Sequence, residues 1–172
     1  SNGKNFNEIF SYNLLSDIKP LEKWHVSNAT DLGGLFNGCE NLSDITPLEN
    51  WNISKCENLS HIFNSCKKLE YILPIQNWNI SNVKDLSYSF GSCKNIYGIY
   101  PLKNWNISNV KNLSGLFFGL ENIVSISPLE NWDITKCENL SSLFSGCNKL
   151  DDLSPLHNWN VSNAKNLGSL FS

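Results

Sequence analysis

The sequence predicts an α/β repeat solenoid in which each 27-residue copy supplies one short strand and one short helix. Two observations lead there. The six prolines, Pro20, Pro47, Pro74, Pro101, Pro128 and Pro155, follow one another at intervals of 27 residues. The six tryptophans, Trp24, Trp51, Trp78, Trp105, Trp132 and Trp159, stand four positions behind them. A fixed period of roughly 20 to 50 residues marks stacked units, none of which buries its apolar face alone.

With each proline counted as position 1, residues 20–172 form six tandem copies beginning at 20, 47, 74, 101, 128 and 155, the last incomplete. Residues 1–19 read as a degenerate N-terminal repeat remnant or cap. Within a copy, positions 5 and 7 are apolar across a polar position 6, as in Trp78, Asn79 and Ile80, the alternation of a half-buried strand. Positions 10, 13, 17 and 20, as in Val83, Leu86, Phe90 and Cys93, recur at helical spacing. Ser27, Ser54, Ser81, Ser108, Thr135 and Ser162 at position 8 predict the helix start, and Ser54 with Glu57 and Thr135 with Glu138 fit capping boxes. Gly38, Gly119 and Gly146 at position 19 predict its end, about three turns on. Stacking then aligns Trp, Phe and Leu in ladders, and loss of one Trp is expected to cost about 3–5 kcal/mol.

At 172 residues, 41% hydrophobic and 17% charged, the chain can bury its own core. A net charge of -3 and a pI near 5.6 provide no broad basic field, so nucleic acid is not an expected partner. No apolar run approaches the roughly 18–20 residues that span a bilayer, and the first ten residues hold no signal-peptide core, so this segment is not expected to insert into a membrane. The missing initiator Met and a last residue in mid-copy lead us to expect a piece of a longer protein.

The string WNISNVKDLSYSFGSCKNI at residues 78–96, with five variants in register, resembles the BspA-like leucine-rich repeats of bacterial and mycoplasma surface lipoproteins. The resemblance covers residues 20–172 and implies a curved, right-handed solenoid of leucine-rich-repeat type with a surface adhesion role. Leu32, Leu59, Leu86, Leu113, Leu140 and Leu167 stand where the family commonly has Met, a swap that conserves volume. No binding residue carries over by motif, because fold transfers between proteins more readily than ligand.

The chemistry of individual residues points away from catalysis. Cys39, Cys66, Cys93 and Cys147 share position 20 with Leu120, and Cys56 and Cys137 share position 10 with Val and Ala, so all six read as buried small hydrophobes. A Cys66–Cys93 disulfide is sterically conceivable, although ladder geometry seldom suits one. Neither a C-x-x-C pair nor paired histidines suggest zinc. His25, His61 and His157 are solitary, and Asp151 and Asp152 read as a solvated acidic edge. The Asn residues at positions 4 and 6 read as side chains that satisfy backbone groups in turns. No enzyme activity, catalytic residue, metal or cofactor is expected.

Copies differ most at positions 24, 25 and 27, where a binding surface is expected to vary while a scaffold repeats. Positions 25 and 27 flank inward position 26 and should point outward together. The central copies place Glu70, Tyr71, Leu73, Tyr97, Tyr100 and Val124 there, while the outer copies place Asp44, Thr46, Asp151 and Asp152. Tyrosines in an exposed apolar patch suit a protein contact. His61, Tyr88 and Phe118, at positions 15 and 18, form a second candidate. The expected function is therefore a non-catalytic protein-binding or adhesion module of a larger cell-surface or secreted protein, its partner a host or extracellular-matrix protein. The alternatives are a structural spacer, an array that self-associates through its ends, and a cytoplasmic protein-interaction scaffold.

Overall fold

The computed structural model describes residues 4–172. Its organising feature is a parallel ladder that joins every copy to the next. Single bridges pair the position-12 residues in succession: Asn5 with Asp31, then Asn58, Asp85, Asn112, Asn139 and Asn166. From each bridge the amides at positions 13, 15, 17 and 19 donate forward into the following copy. In the third copy Leu86, Tyr88, Phe90 and Ser92 donate to the carbonyls of Asn112, Ser114, Leu116 and Phe118 at 2.6–3.2 Å. The alternate amides stay at home: Ser89, Gly91 and Cys93 donate to the carbonyls of Leu86, Tyr88 and Phe90, three residues back. Position 14 is served by the position-12 side chain, as when Asp85 Oδ1 accepts from the Ser87 amide at 2.7 Å. In every complete copy, each backbone amide from position 13 to position 20 therefore has a partner, as a buried backbone requires.

This arrangement replaces the helix expected at positions 8–19, and among the described residues there is no α-helix. The reason lies in positions 15 and 19. Their φ angles are positive in every complete copy, through Gly34 and Gly38, His61 and Ser65, Tyr88 and Ser92, Gly115 and Gly119, then Ser142 and Gly146. A positive φ at the third residue of a four-residue turn is the type II requirement, and two such turns in tandem cannot continue an α-helix. The position-8 hydroxyl residues do not cap helices either. Their amides are held by the position-6 side chain, as Asn79 Oδ1 holds Ser81 at 3.1 Å and Asp133 Oδ1 holds Thr135 at 3.0 Å. That is the structural role expected of the position-6 Asn residues. The strand expected at positions 5–7 has the right burial, with Trp78 and Ile80 buried and Asn79 exposed, but the ladder runs through position 12 instead.

Each proline opens a short 3-10 turn, at Lys19–Lys23, Thr46–Leu48, Leu73–Ile75, Tyr100–Leu102, Ser127–Leu129 and Ser154–Leu156. Its fixed φ suits the first turn, and its missing N–H costs nothing there. Residues Asn5 to Tyr12 repeat the ladder pattern against the first copy, with Phe6, Glu8, Phe10 and Tyr12 donating to Asp31, Gly33, Leu35 and Asn37. The N-terminal segment is thus a rung in register, and the residue it lacks falls between Tyr12 and Ile18.

Side chains add a second set of links between copies. Each indole from Trp51 to Trp159 donates to the position-2 carbonyl of the preceding copy, at Leu21, Leu48, Ile75, Leu102 and Leu129, over 3.0–3.2 Å. Phe36, Phe63 and Phe90 stack at 5.8 and 6.0 Å, and Phe117, Phe144 and Phe171 at 5.7 and 5.6 Å. The indole therefore packs and hydrogen-bonds in one residue, which explains why no copy substitutes it. Replacing Trp105 by Phe removes one of the two hydrogen bonds to the Ile75 carbonyl, which keeps the Trp78 amide, and should cost about 0.5–1.5 kcal/mol. Trp105→Ala should cost about 3–5 kcal/mol. Urea unfolding measures both, and a Phe variant as stable as wild type would remove the indole hydrogen bond from the energetics.

Candidate functional site

Position 26 points inward, with Ile72, Ile99 and Ile126 buried, and this turns positions 25 and 27 outward as the sequence suggests. The structure brings the first candidate set together on the surface. Tyr71, Leu73, Tyr97, Tyr100 and Val124 are each 51–68% exposed, large values for apolar side chains in three consecutive copies. Glu70 is exposed beside them. The Tyr71 and Tyr97 rings meet edge to face at 5.4 Å, and Lys103 Nζ lies 5.9 Å from the centre of the Tyr100 ring. Sequence reading passed over Lys103 because position 3 is exposed and variable throughout.

The aromatic patch is set where the scaffold gives up a hydrogen bond. In the flanking turns a position-25 side chain accepts from the position-27 amide: Asp17 from Lys19, Asp44 from Thr46, Ser125 from Ser127 and Asp152 from Ser154, at 2.8–3.2 Å. The Thr46 side chain and amide hold the Asp44 carboxyl below its ordinary range, and the Ser154 amide and side chain do the same for Asp152. At the two central turns the acceptor is replaced by Tyr71 and Gly98. Each lost bond forgoes about 0.5–1.5 kcal/mol.

The second candidate set is also contiguous. The His61 and Tyr88 rings stack at 5.1 Å and 11°, and Tyr88 meets Phe118 at 5.9 Å and 58°. His61 and Tyr88 adopt φ of 56° and 54°, where other copies use Gly or Ser. A Cβ on Gly115 would fall on the Tyr88 ring, so the glycine makes room for it. These rings are partly covered by one another, and only Phe118 is exposed, at 37%. They offer less free apolar surface than the tyrosine patch.

The six cysteines are free and buried. Cys39, Cys66, Cys93 and Cys147 donate to the position-17 carbonyls of the preceding turn at 2.9–3.3 Å, so Cys66 and Cys93 serve the ladder separately and are not joined. Burial pushes the Cys93 thiol up to about 12 and those of Cys56 and Cys147 to about 11, and raises Cys39, Cys66 and Cys137 as well. Protonated, enclosed thiols are poor nucleophiles and poor ligands. Asp151 and Asp152 are exposed, and no group of three metal-ligating side chains occurs among the described residues. No helix among them is long and apolar enough to cross a membrane.

One feature escaped sequence reading because it exists only when turns stack. Between the N-terminal turn and the first complete one lies a groove of about 520 Å³, lined by Asp17, Lys19, Glu22, Asp44, Glu49 and their neighbours. Of its lining, the sequence singles out Asp44 and Thr46, at outward positions of the first copy.

The ladder and its repeated turns define a repeat solenoid. The chain belongs to the family described as "Mycoplasma protein of unknown function, DUF285", which matches it over residues 4–123 and again over 97–172. No curated protein matches the sequence. Among solved structures it is similar to internalin C2 from Listeria monocytogenes, with a TM-score of 0.42, 18% identity, and coverage of 90% of this chain and 66% of that one. It is also similar to a leucine-rich repeat protein from Bacteroides ovatus, with a TM-score of 0.38, 21% identity, and coverage of 69% and 32%. The chain spans less than two thirds of either structure, and overlaps this loose do not bear on what it binds.

Two glycines distinguish the two aromatic clusters in stability. Gly115→Ala forces a side chain into φ +59° and onto the Tyr88 ring, and should cost about 1–2 kcal/mol. Gly98→Ala meets nothing within 4 Å and should be neutral or stabilise by up to about 1 kcal/mol. Thermal unfolding of the pair should give opposite or clearly unequal shifts, and equal destabilisation would contradict this packing.

Proposed function

We propose that this chain is a non-catalytic protein-binding module of adhesive type, displayed at a cell surface as part of a larger protein. The observation that carries the proposal is the tyrosine patch at Tyr71, Tyr97 and Tyr100, exposed in the same turns that give up their capping oxygens. Tyr suits this work because it buries a large area, loses little side-chain freedom and keeps a polar tip. The resemblance to BspA-like repeats supports surface display, and membership of a mycoplasma family is consistent with it. The absence of catalysis is part of the proposal. It is supported by thiols enclosed in the ladder, by His61 stacked on Tyr88, and by His157 Nδ1 lying 3.0 Å from the Ser154 carbonyl oxygen.

Binding of wild type and a Tyr71→Ala/Tyr97→Ala/Tyr100→Ala variant to a panel of extracellular-matrix and host-surface proteins tests the reading, with circular dichroism to confirm that both are folded. We expect at least one partner to bind wild type and to be lost in the folded variant. Equal binding by both would place the contact elsewhere, and binding by neither would favour a spacer or scaffold role.

A further inference from the structure

The surface changes along the solenoid from an acidic groove to the tyrosine patch. The N-terminal groove holds four carboxylates, Asp17, Glu22, Asp44 and Glu49, against the single ammonium of Lys19. None of these five side chains is in an ion pair among the described residues, whereas Lys67, Lys84, Lys94 and Lys165 are each neutralised by a glutamate at 2.6–2.7 Å. The chain as a whole has sixteen carboxylates and thirteen lysines. Setting the groove aside leaves twelve of each, so the groove's net charge equals that of the whole chain. A cleft with a net negative charge attracts a cation to it.

Register then ties the groove to the tyrosines. Asp17, Asp44 and Tyr71 occupy the same position in three consecutive turns, and Thr46, Leu73 and Tyr100 do so one row over. Turns joined by a parallel ladder lie about 4.8 Å apart, so the acidic cleft passes into the aromatic patch within about 5–15 Å. An extended polypeptide covers that distance in about two to four residues.

Resting on the reading of the patch as a protein-binding surface, we infer that its partner is an extended protein segment in which basic residues lie about two to four residues from an apolar or aromatic anchor. The basic side chains enter the groove among Asp17, Glu22, Asp44 and Glu49. The anchor packs on Tyr71, Tyr97 and Tyr100. Asp17 and Asp44 each accept a backbone amide at Oδ1, which fixes both carboxylates at the groove wall.

The probe is a fluorescein-labelled peptide of glycine and serine carrying a pair of lysines and, about three residues on, a Phe-Leu pair. Two controls replace the lysines by glutamates or the Phe-Leu pair by serines. Anisotropy titrations use wild type, the tyrosine triple variant, and a groove variant, Asp17→Asn/Glu22→Gln/Asp44→Asn/Glu49→Gln, whose amides preserve the turn hydrogen bonds. The lysine and Phe-Leu peptide should bind wild type at least about tenfold more tightly than either control. Added salt should weaken it on wild type, while the groove variant should bind the lysine and glutamate peptides alike. The proposal is overturned if that peptide fails to bind folded wild type, or if the groove variant keeps the preference for lysine. In the latter case loss of binding in the tyrosine variant would still uphold the patch as a contact surface, and retention of binding there would overturn both.

Discussion

Each copy sends four backbone amides into the copy that follows and keeps the intervening ones for its own turns. Neither set suffices alone. The turn bonds within positions 13–20 leave every second amide unpaired, and the ladder bonds exist only when a neighbour is present. Burying an unpaired amide costs about 1–3 kcal/mol, so a lone 27-residue unit is open by several such penalties at once. Stacking removes them together and, in the same step, seats each indole on the preceding copy and each phenylalanine on its counterparts. The solenoid is therefore a hydrogen-bonded column first and a hydrophobic core second, and the regular spacing of its surface residues follows from the ladder.

That spacing arranges the proposed binding face. Residues one period apart in sequence become neighbours about 4.8 Å apart in space, so a row can carry a different chemistry at each step without altering the rows beneath it. The position-25 row shows this most plainly, with Asp17 and Asp44 at one end, Tyr71 and Gly98 in the middle, and Ser125 and Asp152 beyond. The buried rows stay apolar through the central copies. Ile72 and Ile99 occupy the same inward place as Ile45 and Ile126, and the thiols of Cys66 and Cys93 the same carbonyl-bound place as that of Cys147. Variation on a constant frame is what recognition by a repeat surface needs.

The period, the copies, the inward apolar positions and the outward tyrosines were all legible in the sequence, because each depends only on which residues recur every 27. The helix was not, for a physical reason. Linked four-residue turns bury Leu32, Leu35, Phe36 and Cys39, a spacing of three, one and three that coincides with one face of an α-helix. What separates the two structures is the backbone. Gly34 and Gly38, with Ser142 and Gly146, occupy positions of positive φ, and Asp31 or Asn58 serves the amide two residues on. Glycine four residues from glycine, after an Asx residue, carries that information, although position 19 alone reads equally well as a helix stop. The acidic groove was out of reach of sequence, since its carboxylates come from two turns whose juxtaposition depends on the shortened N-terminal segment.

Scalar couplings across hydrogen bonds, measured by solution NMR on isotopically labelled protein, test the ladder most directly. The amide nitrogens of Leu86, Tyr88, Phe90 and Ser92 should couple to the carbonyl carbons of Asn112, Ser114, Leu116 and Phe118, 26 residues further along the chain. Couplings from these amides to carbonyls about four residues back would instead mean an α-helix in each copy, and would contradict a fold held together by bonds between copies.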